Sequence, residues 1–365
     1  MHSTLRALFS DLEVRCLVLL ASLPAVPPAE IASRVEELRT KIGLLRSEAR
    51  ALLGENLEDP SAASAHYEAY VRHNRIVFEA EHFELPIILR WGDQDRQMTA
   101  MCSALLDQVG WRLAHPQVGT ISHEYYWALP SRQMIAVPAN EHERLLAIGD
   151  LAHELGHLAF AKHGALLVGD TLQRVSAHVK LAAVSSHDPT EFAFQTNTCW
   201  REWIQEFVCD AFAAYLTGPA FALQNLRLCC LRGALEGVFD VHQGRAHPAD
   251  DARMRVALHM LGVLGLGQVA ADIQMRWEEA LALVGAAPRG EYELMLPDTL
   301  LEAVAQNAHG ACKHLGLRAY DPSVSGDCDV ARLANEAWER LLSDPPSYEN
   351  WERQTLSDCQ AAWSA

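Results

Sequence analysis

The segment Ala147-Ile148-Gly149-Asp150-Leu151-Ala152-His153-Glu154-Leu155-Gly156-His157-Leu158-Ala159-Phe160-Ala161 decides how this chain is read. Wound as a helix from about Glu141 to Ala161, with Asn140 as its cap, it shows apolar side chains on most faces: Leu145, Leu146, Ile148, Leu151, Leu155, Leu158 and Phe160. A helix of that kind lies inside a core, so polar groups within it need a reason. In His153-Glu154-Leu155-Gly156-His157 the i, i+4 spacing puts both imidazoles on one face, one turn apart, where they can share a metal ion. Neutral imidazole suits zinc. Glu154 projects beside them, within reach of a proton on a water held by the metal. At this chain's His and Glu frequencies a chance H-E-x-x-H arises roughly once in twenty such sequences, so further ligands have to be found.

Zinc needs a third protein ligand if one position is to stay open for water. A second helix, from about Thr198 to Leu216 and ended by Gly218-Pro219, supplies Glu202, Glu206 and Asp210 on one face. A solvated acidic stripe has the same spacing, but Phe207, Val208, Ala211, Phe212 and Ala213 surround this one with apolar neighbours. On the functional reading Glu206 binds the metal, and Asp210 accepts the other ring N–H of a ligand histidine. Cys209 reads as a packing residue, and Trp200 and Trp203 as core filling or the border of a pocket. His142, His163, His178, His187, His242 and His259 lack the spacing of a second metal site.

Working outward, Tyr125 to Pro138 reads as two short strands joined by a turn at Pro130-Ser131. Upstream, apolar residues recur at Ile31, Val35, Leu38, Ile42, Leu45, Ala49 and Leu52, a narrow helical seam that ends at Gly54. Three heptads favour a hairpin with the following helix, roughly Ala62 to Phe83, over self-association. Helices also fill 220–285 and 295–361. The expected organisation is a helical region over 1–115, a core over 116–260 and an acidic helical region over 261–365, in an α+β, mainly α fold with one small sheet.

The chain has 365 residues, 50% of them hydrophobic, and a net charge of -17. That composition is globular, and an acidic surface repels nucleic acid and anionic lipid. Residues 256–365 hold 7 Lys and Arg against 16 Asp and Glu, so the excess is concentrated there. Nine scattered cysteines without a C-x-x-C pair imply neither a disulfide framework nor a cysteine zinc knuckle, and fit a reducing, cytoplasmic setting. The charge-free run Cys16 to Ala29 follows Asp11 and Glu13 where a signal sequence carries positive charge, so it reads as a buried first helix. Val256 to Ala271 is too short and polar to span a bilayer.

Four motifs stand in order: Ala128-Leu129-Pro130, His153 to His157, Glu206 to Asp210, and His247-Pro248-Ala249-Asp250-Asp251-Ala252-Arg253. Over residues 120–260 this resembles the gluzincin metallopeptidases, within them the group of the CAAX prenyl endopeptidases and their soluble bacterial relatives. The resemblance implies a zincin-like core in which His153, His157 and Glu206 bind zinc, Glu154 is general base and proton donor, Asp210 orients a ligand, and His247 and Arg253 serve the oxyanion. It also implies that strand Gln133 to Val137 is an edge on which an extended peptide substrate pairs. Tyr125 stands where that group often has Asn, Ser131-Arg132 replaces a Gly-Gly, and the membrane spans of the prenyl endopeptidases are missing. The function expected is zinc-dependent peptide hydrolysis. The alternative is a latent or non-catalytic metal-binding module whose helical flanks engage a partner or occlude the cleft.

Overall fold

In the computed structural model, residues 2–55, 62–122, 125–139, 141, 144–231, 238–241, 247–288, 290–324 and 326–364 are described; Asn140, His142 and His242 lie outside them. The chain divides into two units, 1–93 and 94–365. The expected breaks at 115 and 260 are not where the division falls. Residues 94–115 pack with the second unit, and 261–365 share its core instead of forming a region of their own.

The first unit holds α1 (His2–Ser22), α2 (Ala32–Gly54), α3 (Ala63–Glu79) and α4 (Leu85–Arg90), the last two joined by a π-helical turn over Ala80–Glu84. The seam of α2 is buried at Ile31, Val35, Leu38, Ile42, Leu45 and Ala49, as its spacing predicts. Its main partner, however, is α1 and not α3. The reason is a second seam, Leu5, Phe9, Leu12, Cys16, Leu19 and Leu23, whose gaps also alternate four and three and which is buried throughout. Arg15 Nη2 meets Glu81 Oε2 at 2.6 Å and Arg15 Nη1 donates to Asn74 at 2.7 Å, tying α1 to α3 and the π turn. That turn precedes Pro86, whose ring would collide with the carbonyl four residues back in a regular α-helix; a wider turn avoids the clash.

The second unit begins in α5 (Asp93–Val109) and continues through β1 (Gln117–Ser122), β2 (Trp127–Leu129) and β3 (Met134–Pro138). The sheet order is β1-β3-β2. β2 runs antiparallel to β3 in the expected hairpin, with Ala128 opposite Ile135, while β1 lies parallel on the other side, with Val118 opposite Ile135. The third strand was not anticipated. Its presence makes β3 central, so the strand expected as the substrate's edge already has both of its hydrogen-bonding sides occupied.

A 3-10 turn over Leu145–Ala147 leads into α6 (Ile148–Val168), which therefore starts later than the expected Glu141. Then come α7 (Thr171–Ala182), α8 (Pro189–Thr217), α9 (Pro219–Leu231), α10 (Asp250–Val263), α11 (Gly267–Val284), α12 (Tyr292–Met295), α13 (Asp298–His314), α14 (Val330–Ser343) and α15 (Pro345–Trp363). Asp188 caps α8 by accepting from the Thr190 and Glu191 amides ahead of Pro189, which moves its start nine residues upstream of expectation. Helices α6 and α8 form the centre, with every residue from Phe207 to Thr217 buried, and α10 and α13 pack around them. Contrary to the cysteine reading, Cys328 and Cys359 form a disulfide; the other seven are free thiols. Among the described residues no helix is long and apolar enough to cross a membrane.

Candidate metal centre

The α6–α8 crossing is close because Gly156 has no side chain. A Cβ there would stand 2.8 Å from Cys209 Cα and 3.2 Å from its Sγ. Gly149, two turns earlier, does the same against α9, where a Cβ would meet Phe221 Cα at 2.9 Å. With backbones this near, short polar side chains on the two helices meet directly. Cys209 serves as the packing residue the sequence suggested.

His153 Nε2 lies 3.4 Å from Glu206 Oε2, and His157 Nε2 lies 3.6 Å from Glu206 Oε1. The imidazoles stand at 81° with centroids 4.9 Å apart, and the His153 ring stacks on Phe221. Donor atoms of His153, Glu154 and His157 lie within 4.8 Å of one another, and these three residues form a group that could hold a metal ion. His153, Glu154 and Glu206 are all buried.

Behind the donors each imidazole has a partner for its other nitrogen. His153 Nδ1 is 2.9 Å from Asp210 Oδ1, and Asp210 in turn accepts from Arg253 Nε at 2.8 Å and Nη2 at 2.7 Å. His157 Nδ1 is 2.7 Å from the Gln205 amide. An amide serves either state of the ring: its NH2 donates to a bare Nδ1, and its oxygen accepts from Nδ1–H and frees Nε2 for a metal. Gln205 is the residue sequence reasoning missed. Its one signal is adjacency to Glu206, because no helical spacing rule links neighbouring positions.

The two residues expected at the oxyanion are placed differently. His247 is exposed and its Nδ1 is 3.1 Å from Glu206 Oε2, on the open side of that carboxylate. Arg253 is buried, with two of its nitrogens committed to Asp210, so the charge expected to face substrate instead braces the support of His153.

Burial pushes the Glu154 carboxyl up to about 7. It also lowers His157, beside the charge of His153, to about 4. For His153 burial opposes the charge, yet hydrogen bonding to Asp210 and Glu206 carries it to about 10. Burial likewise works against the Glu206 anion, but hydrogen bonds from His153 and His247 hold it well below the usual carboxylate range. Asp210 is lowered too, because Arg253 outweighs its burial. The Glu206 and Asp210 carboxylates thus face two cations, Arg253 and the protonated His153, and a metal ion held by His153 would take the place of that proton.

No family model matches the chain, and neither does any curated protein or solved structure.

Proposed function

We propose that the chain is a zinc-dependent peptidase with a zincin-like core, in which His153, His157 and Glu206 hold the metal and Glu154 is the general base. The observation that carries this is the approach of both Nε2 atoms to one carboxylate, at 3.4 and 3.6 Å, with Glu154 buried beside them. Donors bonded at about 2.1 Å to one tetrahedral zinc stand roughly 3.4 Å apart, so little rearrangement closes the set on an ion. Two imidazoles and a carboxylate suit zinc better than magnesium or calcium, which prefer oxygen throughout. When bound, the metal supplies a Lewis acid and brings the pKa of a water it holds near neutrality. Glu154, titrating at about 7, is matched to accept a proton from water at neutral pH and return it to the departing amine. Asp210 and Gln205 fix the two rings, Arg253 keeps Asp210 ionised, and His247, exposed and 3.1 Å from Glu206, is a donor that would serve a substrate oxyanion. A peptide that pairs with the sheet takes β2, the edge strand packed against α6.

The test is zinc content and cleavage of unfolded peptides, for the wild type and Glu154→Gln. The expectation is one zinc in both proteins, with cleavage reduced by about 10²–10⁴ in the variant. A zinc-loaded variant that cuts as fast as the wild type sinks the assignment of Glu154.

One observation favours the second reading, a metal-binding module without turnover. His153 and Glu206 are buried and His157 mostly so, while two cavities of about 520 and 610 Å³ lie away from them, lined by residues of α5, α8, α10, α13, α14 and the segment around Tyr320. Stoichiometric zinc with no cleavage across a peptide library supports that reading over the first.

A further inference from the structure

The helix that carries both candidate imidazoles begins against a carboxylate from the other end of the chain. Leu145 N–H donates to Glu352 Oε1 at 2.6 Å across 207 residues of sequence. The Leu146 amide contributes to the same carboxylate, and the Tyr348 hydroxyl donates to the same oxygen. Glu352 is 4% exposed. Its burial raises its pKa, while the two amides, Tyr348 and the Arg144 charge work to keep it ionised. A carboxylate at this place satisfies amides that a helix cannot satisfy internally and opposes the positive end of the helix dipole.

The helix bearing Glu352 is itself held. Cys359 of α15 is bonded to Cys328, Trp363 Nε1 donates to the Cys328 carbonyl at 2.9 Å, and α14 packs on the Leu145–Ala147 turn. His153 follows Leu145 by about 13 Å, through the 3-10 turn and into α6. The Glu206 it must meet stands on α8, so where the first turn of α6 is seated decides how the imidazoles register with that carboxylate.

We propose that Glu352 is a positioning residue of the metal centre, acting through the 3-10 turn that it holds at the start of α6; this rests on the reading of that centre as a metal site. A merely structural role would lower stability and leave the metal affinity of the folded protein alone. A positioning role changes the affinity and the ligand field.

The experiment uses the full chain and measures zinc affinity by chelator competition, together with the visible spectrum of the Co2+-loaded protein, at a temperature where circular dichroism shows each variant folded. Glu352→Ala removes the acceptor, Glu352→Asp retracts it by one methylene, and Glu352→Gln keeps an acceptor oxygen at the same reach. The expected result is affinity about tenfold or more lower for Ala and Asp, with an altered cobalt spectrum, and within about threefold of wild type for Gln. If the Ala variant does not fold, the Asp and Gln pair decides. Wild-type affinity and spectrum in folded Glu352→Asp, or a Gln variant as impaired as Asp, overturns the role of Glu352. A wild-type chain that takes up neither zinc nor cobalt overturns the metal reading, and this inference with it.

Discussion

Asp210 Oδ1 lies 2.9 Å from His153 Nδ1 while the same carboxylate accepts two hydrogen bonds from Arg253, so one fully buried side chain joins a candidate metal ligand to a buried cation. Asp210→Asn weakens both links, and we expect zinc affinity to fall about 10–100-fold, measured by competition with a chelator. Arg253→Met leaves Asp210 buried without its counter-ion and should cost about 3–5 kcal/mol in urea unfolding. An Arg253→Met protein with the wild-type midpoint contradicts this account of the pair.

Gly156 is required by distance and not by backbone angle. A methyl group there would overlap the backbone of Cys209, so Gly156→Ala must push α6 and α8 apart. The expected cost is about 1–3 kcal/mol of stability, with weaker zinc binding as the donors separate. Gly262, whose Cβ would meet nothing within 4 Å, is the control: Gly262→Ala should leave zinc binding unchanged. Equal behaviour of the two variants rules out the close approach as the reason for glycine.

The Cys328–Cys359 bond closes a loop with a sequence separation of 31. Alkylation of the denatured protein without reduction should modify two fewer cysteines than alkylation after reduction. Replacing the pair with serine should lower stability by about 2–4 kcal/mol. Nine modified thiols without a reductant would show the bond absent from the protein as isolated.

Glu84 gives the first unit a pH dependence. Its carboxyl is 3% exposed and is pushed up to about 7, chiefly by burial and against the pull of Arg34. The folded state therefore holds the proton more tightly than the unfolded chain does. This stabilisation is complete below about pH 4.5 and is lost as pH rises through about 7. Glu84→Gln, which cannot ionise, should gain on the wild type across that window, by on the order of 3 kcal/mol above pH 8. A stability difference between the two that stays flat from pH 4 to 9 would remove the effect.

Local pattern was enough for much of this. The burial of α6 was readable because apolar residues occupy most of its faces, and the facing imidazoles followed from i, i+4 spacing alone. The α2 seam and the β2–β3 hairpin were equally local, each set by a period of a few residues. The partner of α2 differs from expectation because the seam of α1, Leu5 to Leu23, repeats the four-three spacing of the α2 seam, and two such seams pack along their length.

Other features depend on groups distant in sequence meeting in space, and no short-range periodicity encodes such meetings. Strand β1 turned the expected edge strand into a central one by pairing parallel to it, a pairing that needs no turn signal. Arg253 was moved from substrate to scaffold by the complete burial of Asp210, which demands a counter-ion. Gln205 on His157, Glu352 on Leu145 and Cys328 on Cys359 are contacts across 48, 207 and 31 residues. Residue types and spacing show which side chains can act together. Which of them do is settled by how closely the helices pack.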